Sequence, residues 1–187
     1  MSTETVSALE NQLSELRARV AQLESANRRA DRLSMVVFSG SLDRQLAAFT
    51  MATAAAACGM EVLMFFTFWG LSALRDPSKQ SRSQSLLSAL FGSMLPRGTL
   101  ALPLSQWNFA GIGSRLLRNV MSNQKLTSLE EMFALSHDMD INLYACDMSM
   151  RTLGISADEL IAHPKLSICG ATLFIERASA GKLTLFV

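Results

Sequence analysis

The sequence predicts an α/β fold on a mostly parallel sheet of about five strands. Three observations predict it. Short apolar runs alternate along the chain with segments of helical period. The run Met35-Val36-Val37-Phe38-Ser39-Gly40, the helix after it and the run Glu61 to Phe68 lie close enough to make one βαβ unit, so the first two strands are parallel and the crossover is right-handed. The runs are continuously apolar, as strands covered on both faces are.

Composition narrows the field. At 187 residues, with 49% hydrophobic residues, the chain can bury a sizeable core in one domain plus an appendage. A net charge of +1 offers no basic face, so no nucleic-acid partner is expected. Cys58, Cys146 and Cys169 are too few, and odd in number, for a disulfide framework. A cytoplasmic setting is expected. The N-terminus shows no basic segment followed by an apolar one, so no secretory signal is expected.

Residues 1–33 read as a coiled-coil oligomerisation helix, and 34–187 as the α/β domain. Val6, Leu13, Val20 and Asn27 recur every seven residues, as do Leu9, Leu16, Leu23 and Ala30. Val at a, Leu at d and one Asn at a favour a parallel homodimer.

The α/β domain then runs in order. Ser41 and Asp43 start a helix whose apolar face carries Leu42, Leu46, Phe49, Ala52, Ala56 and Ala57, and Gly59 stops it. Cys58, just before that stop, is expected to be a buried structural thiol. Leu46 to Leu74 is long enough and apolar enough to suggest a membrane span, but Gly59 and Glu61 break it into a helix and a buried strand. Ser39-Gly40-Ser41 lacks dinucleotide-loop spacing and reads as a tight turn. Residues 69–124 exceed what a crossover needs and are expected to form a lid or an oligomer contact. Within them Leu86 to Leu95 is helical. Leu116, Leu117, Val120 and Met121 are expected on the inner face of a further helix, whose Gly-rich start with Ser114 and Arg115 offers only a weak anion signal. Thr127 or Ser128 caps the next helix, which ends near His137 and Asp138. Ser156 starts another that ends at His163-Pro164. Leu166 to Gly170 is a short strand and turn. Ala171 to Ala178 is a helix with Leu173, Phe174 and Ala178 inward, and Leu183 to Val187 is the last strand.

Ile141 to Ala145 is a strand-like run that changes to helical period at Cys146 and stops at Gly154. In an open α/β sheet, ligands and chemistry gather at the carboxyl ends of strands. A thiol there also faces the positive end of the next helix. Three roles suit Cys146: a core thiol, a nucleophilic or sulfur-carrying thiol, and a soft ligand with Met148 and Met150 for Cu(I). Alternate residues diverge on a helix, and with 11 Met in the chain, packing is the simpler role for these two. Cys169, before Gly170, can face the same sheet edge as Cys146, which makes a redox pair conceivable across a long sequence separation. One histidine at 137 with none near it in sequence gives a zinc site little support, and neither metal nor cofactor is expected.

The stretches MVVFSGSLDRQLAAF, GMEVLMFFTFWGL, FGSMLPRG, LPLSQWNFAGIGSRLLRNVM, LYACDMSMRTLGI and LTLFV, in that order, resemble the DsrE/DsrF-like family, in its branch with a long middle insertion. The resemblance covers residues 35–187. It implies a three-layer α/β/α sandwich and a sulfur carrier or sulfurtransferase-like protein that holds sulfane sulfur as a cysteine persulfide and passes it between donor and acceptor proteins. Cys146 matches the family's sulfur-carrying position, and no family role transfers to Cys58 or Cys169. Asp147 opposes a thiolate by its charge; Arg97 or Arg115 would offset it if the insertion folds over the strand ends. The competing reading is a non-catalytic oligomeric scaffold. A peripheral membrane contact through 46–74 or 86–95 is not favoured. If the heptad seam holds copies together, Leu16→Lys lowers the mass seen by light scattering to that of the monomer.

Overall fold

The computed structural model describes residues 12–22, 30–79, 90, 92 and 94–187. The chain divides into two units, residues 1–30 and 31–187. In the first, residues 12–22 form helix α1, exposed throughout. Leu13, Leu16 and Val20 line one stripe of it, with Leu16 62% exposed. The seam positions Val6, Leu9, Leu23 and Asn27 lie outside the described residues. The last one, Ala30, is not helical: strand β1 covers Ala30–Val37, starting earlier than the apolar run suggests. The reason is period. Leu33, Met35 and Val37 alternate into the core, while Arg32 pairs in register with Glu61 and bonds its carboxylate at 2.7 Å.

The second unit is a three-layer α/β/α sandwich, as expected. Its further elements are α2 (Leu42–Ala57), β2 (Glu61–Phe66), α3 (Ile112–Asn123), α4 (Leu129–Asp138), β3 (Asn142–Cys146), α5 (Asp147–Leu153), β4 (Leu166–Cys169), α6 (Ala171–Ser179) and β5 (Gly181–Phe186). The sheet order is β4-β3-β2-β1-β5. Neighbours from β1 to β4 pair in parallel, and β5 runs alongside β1 in the same direction, with Lys182 on Asp31 at one end and the Val187 amide on the Val36 carbonyl at the other.

Period two splits the strands between two cores. On the first face Leu33, Met35, Val62, Met64, Phe66, Leu143 and Ala145 pack against α2, α4 and α5, where Phe49 stacks obliquely on Phe133 with ring centres 4.3 Å apart. On the second face Leu63, Phe65, Tyr144, Cys146 and Cys169 pack under Phe174 and Ala178 of α6. Leu173, expected inward, is exposed, because Phe174 and Ala178 alone occupy the inner stripe of this short helix.

The long apolar run divides as read into α2, β2 and a 3-10 segment, Phe68–Leu74. Among the described residues no helix is long and apolar enough to cross a membrane. Most of 86–95 lies outside them. The Ser39–Ser41 turn is tight: the two hydroxyls bond each other at 2.8 Å, and Gln45 donates to the Ser39 carbonyl. It also interlocks with the turn after β2. A Cβ at Gly40 would lie 2.5 Å from the Trp69 carbonyl oxygen, and one at Gly70 would overlap the Val37 carbonyl. α3 departs from expectation: Leu116 and Val120 face outward, and the helix buries no residue. Ser114 bonds the Gly111 carbonyl and Arg115 is exposed, so no anion cradle forms there.

Arg75 and Glu159, both buried, pair at 2.7 Å. Arg75 also donates to the carbonyls of Gly92 and Leu95. Around them the backbone pairs antiparallel, Arg75 with Leu160. The helix expected from Ser156 is only a 3-10 turn, Ala157–Glu159, closed by a Ser156–Glu159 capping box and ending where Glu159 meets Arg75. Burial alone would raise the Glu159 carboxyl; the Ser156 amide and the Arg75 guanidinium outweigh it and hold its pKa below the ordinary value. The stability it contributes is therefore complete above the ordinary carboxylate pKa and is lost as pH falls through the lowered one. Glu159→Ala should cost about 3–5 kcal/mol in urea unfolding at neutral pH. The gap to wild type should shrink as the pH drops below the carboxylate range.

Candidate functional site

The site lies where the chain changes faces. β3 and β4 are neighbours, yet their outgoing helices leave on opposite sides. Met150 and Leu153 of α5 join the first core, and Phe174 and Ala178 of α6 join the second. Such a divergence opens a crevice between the carboxyl ends of the two strands. The residues at those ends are Cys146 and Cys169.

They are direct partners in the ladder, Cys146 opposite Cys169. Strand parity sends both thiols to the second face, among Leu63, Phe65, Tyr144 and Phe174. Both are free and buried, with Cys146 2% and Cys169 7% exposed. Phe174 forms the roof, stacked on Phe65 at 4.7 Å. Arg177, one turn further along α6, lies 5.5 Å from the Tyr144 ring centre and donates to the Tyr144 hydroxyl. Arg32 in turn donates to the Arg177 carbonyl at 2.6 Å, which ties the end of α6 to β1. Burial pushes the Cys169 thiol above its ordinary pKa; nearby Cys146 adds to this, and Arg177 opposes it. Met148 and Gly170, just beyond the two thiols, are exposed, and a Cβ on Gly170 would touch nothing within 4 Å.

The other expected residues sort clearly. Cys146 is the residue that caps α5, as the change of period indicates. Asp147 does not stand alone beside it: Arg151, one turn on, pairs with its carboxylate at 2.9 Å. That i, i+4 pairing is legible in the sequence, and it answers Asp147's charge without help from the insertion. Arg97 is committed to the Lys79 carbonyl, and Arg115 stands exposed on α3. Among the described residues the insertion is fastened to the first-face helices through Asp43 on the Ser105 amide and Arg118 on Glu130, and to the turn after α5 through Arg75 on Glu159. The chain just before the insertion does reach the site's neighbourhood, where the buried Thr67 and Ser149 hydroxyls meet at 2.8 Å. A cavity of about 810 Å³ between α2, α3 and α4 holds none of the expected residues.

Cys58 is exposed, not buried as expected, because it is the C-cap residue just past α2, while the inward stripe runs on through Ala52, Ala55 and Ala56. Folding brings His163 to His137, their rings 5.9 Å apart. His163 is held by the Lys165 amide and Ser136, and its pKa is lowered by burial and then by His137. Among the described residues no three His, Cys, Asp or Glu side chains gather as a metal site would require. Sequence reasoning missed Tyr144 and Arg177. Nothing in spacing marks Arg177, whose role depends on α6 crossing the second face.

The DsrE/DsrF/DrsH-like family model matches residues 29–186. The chain belongs to this family. Among its relatives, the uncharacterized protein YrkE of Bacillus subtilis is 35% identical over 156 residues, covering 83% of this chain and 96% of its own length. The sulfur carrier protein DsrE2 of Allochromatium vinosum is 28% identical over 164 residues, covering 83% and 98% respectively. The family match thus includes both cysteines of the crevice and excludes most of the N-terminal unit.

Iodoacetamide should alkylate Cys58 first in the native protein and Cys146 and Cys169 far more slowly, as peptide mass mapping reads. Phe174→Ala should remove the roof, speed alkylation of both buried thiols and cost about 3–5 kcal/mol of stability.

Proposed function

We propose that this protein takes part in sulfur relay, holding sulfane sulfur as a persulfide on Cys146 and passing it from a donor protein thiol to an acceptor. The observation that carries the reading is the place of Cys146, at a strand's carboxyl end in the crevice where α5 and α6 diverge. Family membership and a relative named as a sulfur carrier support it.

The chemistry asks little of the surroundings. The Cys146 thiolate attacks the outer sulfur of a donor persulfide, the donor's thiolate leaves, and an acceptor thiolate later takes the same sulfur in the same way. The apolar crevice keeps water and stray nucleophiles from the carried sulfur. Arg151 neutralises Asp147 at the mouth, so a departing or arriving thiolate meets a paired rather than a bare carboxylate. Loading requires the roof at Phe174 to lift, because Cys146 is covered in the closed chain. The exposed stripe of α1 fits pairing with further copies of this chain, and a homo-oligomer is part of the proposal.

The depth of Cys146 favours a second reading, in which the thiol is packing and the protein is an oligomeric scaffold. Loading separates the two. The protein incubated with a persulfide donor should gain one sulfur by intact mass, and Cys146→Ser should not. A mass that never changes, or a gain that survives in Cys146→Ser, leaves the scaffold.

A further inference from the structure

Cys169 stands where a thiol must stand to react with a sulfur held on Cys146. Directly opposed residues on adjacent strands lie about 4.8 Å apart. That spacing falls inside the roughly 4.4–6.8 Å Cα separation a disulfide spans. The register puts Cys169 opposite Cys146, not one residue off, where it would face the other core. Both thiols belong to the same cluster under Phe174. Both also sit at the last residue of their strands, and open space surrounds the next residue, Gly170. The Cys169 backbone can therefore adjust without disturbing the ladder behind it. The rest of the cluster is Leu63, Phe65, Tyr144, Phe174 and Ala178, none of which competes as a nucleophile.

We infer that Cys169 is the resolving thiol of Cys146: it attacks the sulfur bonded to the Cys146 Cβ in the persulfide, forms a Cys146–Cys169 disulfide and expels the carried sulfur as sulfide. This rests on Cys146 being the persulfide-bearing residue. The bond that breaks joins the Cys146 Sγ to the outer sulfur, and the bond that forms joins the two Sγ atoms. The outer sulfur leaves with both electrons of the broken bond and takes up the Cys169 thiol proton, giving hydrogen sulfide. The two cysteines supply the reduction and end oxidised. A dithiol reductant returns them to thiols before another sulfur is loaded. Attack on the outer sulfur would only move it from one cysteine to the other. Attack on the inner sulfur ejects sulfide, a weaker base than a cysteine thiolate and so the better leaving group. Burial holds Cys169 protonated, which slows its attack and leaves the carried sulfur time to meet an acceptor. The same crevice then has two outlets: transfer when an acceptor docks, and release as sulfide when none does.

The test uses the full chain carrying Cys58→Ser, which removes the exposed thiol. The reduced protein is loaded with inorganic polysulfide, desalted, and followed by sulfide trapping, intact mass and peptide mapping. The expected course is a gain of one sulfur, then sulfide release in step with a cross-linked peptide joining Cys146 to Cys169. With Cys169→Ser added, the sulfur should stay on Cys146 and sulfide release should be lost. Equal release with and without Cys169 overturns the inference, as does sulfur that stays on Cys146 in both proteins. In a second measurement the unloaded parent is equilibrated with a dithiol–disulfide buffer. There the cross-linked peptide must appear, and its absence shows the thiols out of bonding reach. If Cys146 never gains sulfur, the carrier reading falls and the resolving step falls with it.

Discussion

The return of the chain from β4 to β5 constrains everything at the candidate site. From β1 to β4 the strands step across the sheet in one direction, and their helices stay on the first face. β5 belongs beside β1, so the chain must travel back. A right-handed return in the opposite direction puts its helix on the opposite face. α6 is therefore on the second face by handedness, and the crevice beside β3 and β4 follows from that. The cover it provides is small. Phe174 and Ala178 are the residues it buries, and Arg177 and Arg32 hold its far end to Tyr144 and β1. A thin cover held at one end seals the thiols.

The loop after β2 and the loop after α5 are locked together in a different way. Arg75 and Glu159 make a salt bridge with no access to water, inside a short antiparallel backbone pairing. The net stability of such a pair is small, since desolvating two charges offsets most of their attraction. Its geometric demand is large. Each charge must find the other, so the two loops have one relative position. Thr67 and Ser149 add a buried hydroxyl contact between the end of β2 and α5 itself. The neighbourhood of α5 is thus pinned by buried polar contacts on the first-face side, whereas α6 is held by contacts at its far end.

Much of this was legible in the sequence, for identifiable reasons. The change from strand to helix period at Cys146 is local, and local period survives folding. The split of the long apolar run at Gly59 is similar. What could not be read depends on partners. Amphipathic spacing marked a stripe on α3, but spacing does not say whether a stripe is covered, and Leu116 and Val120 are not. Ala30 satisfies both a heptad and a strand, and β1 claims it because its neighbours pair with β2. Cys58 looked buried by residue type and is exposed by position. The Cys146–Cys169 pairing needs the register of two strands separated by a helix and a turn, which no count along the chain supplies. Asp147 was the opposite case, since its partner Arg151 lay one helical turn away.

Gly40 and Gly70 carry a consequence of another kind. Each turn fills the space where the other would need a side chain, so the backbones meet with nothing between them. Neither position can change alone, since an added methyl group at one displaces the main chain at the other. Compensation by a second substitution is also closed, because no residue is smaller than glycine. Over descent these two positions should drift neither singly nor as a pair, and the joined ends of β1 and β2 should outlast most of the surface around them.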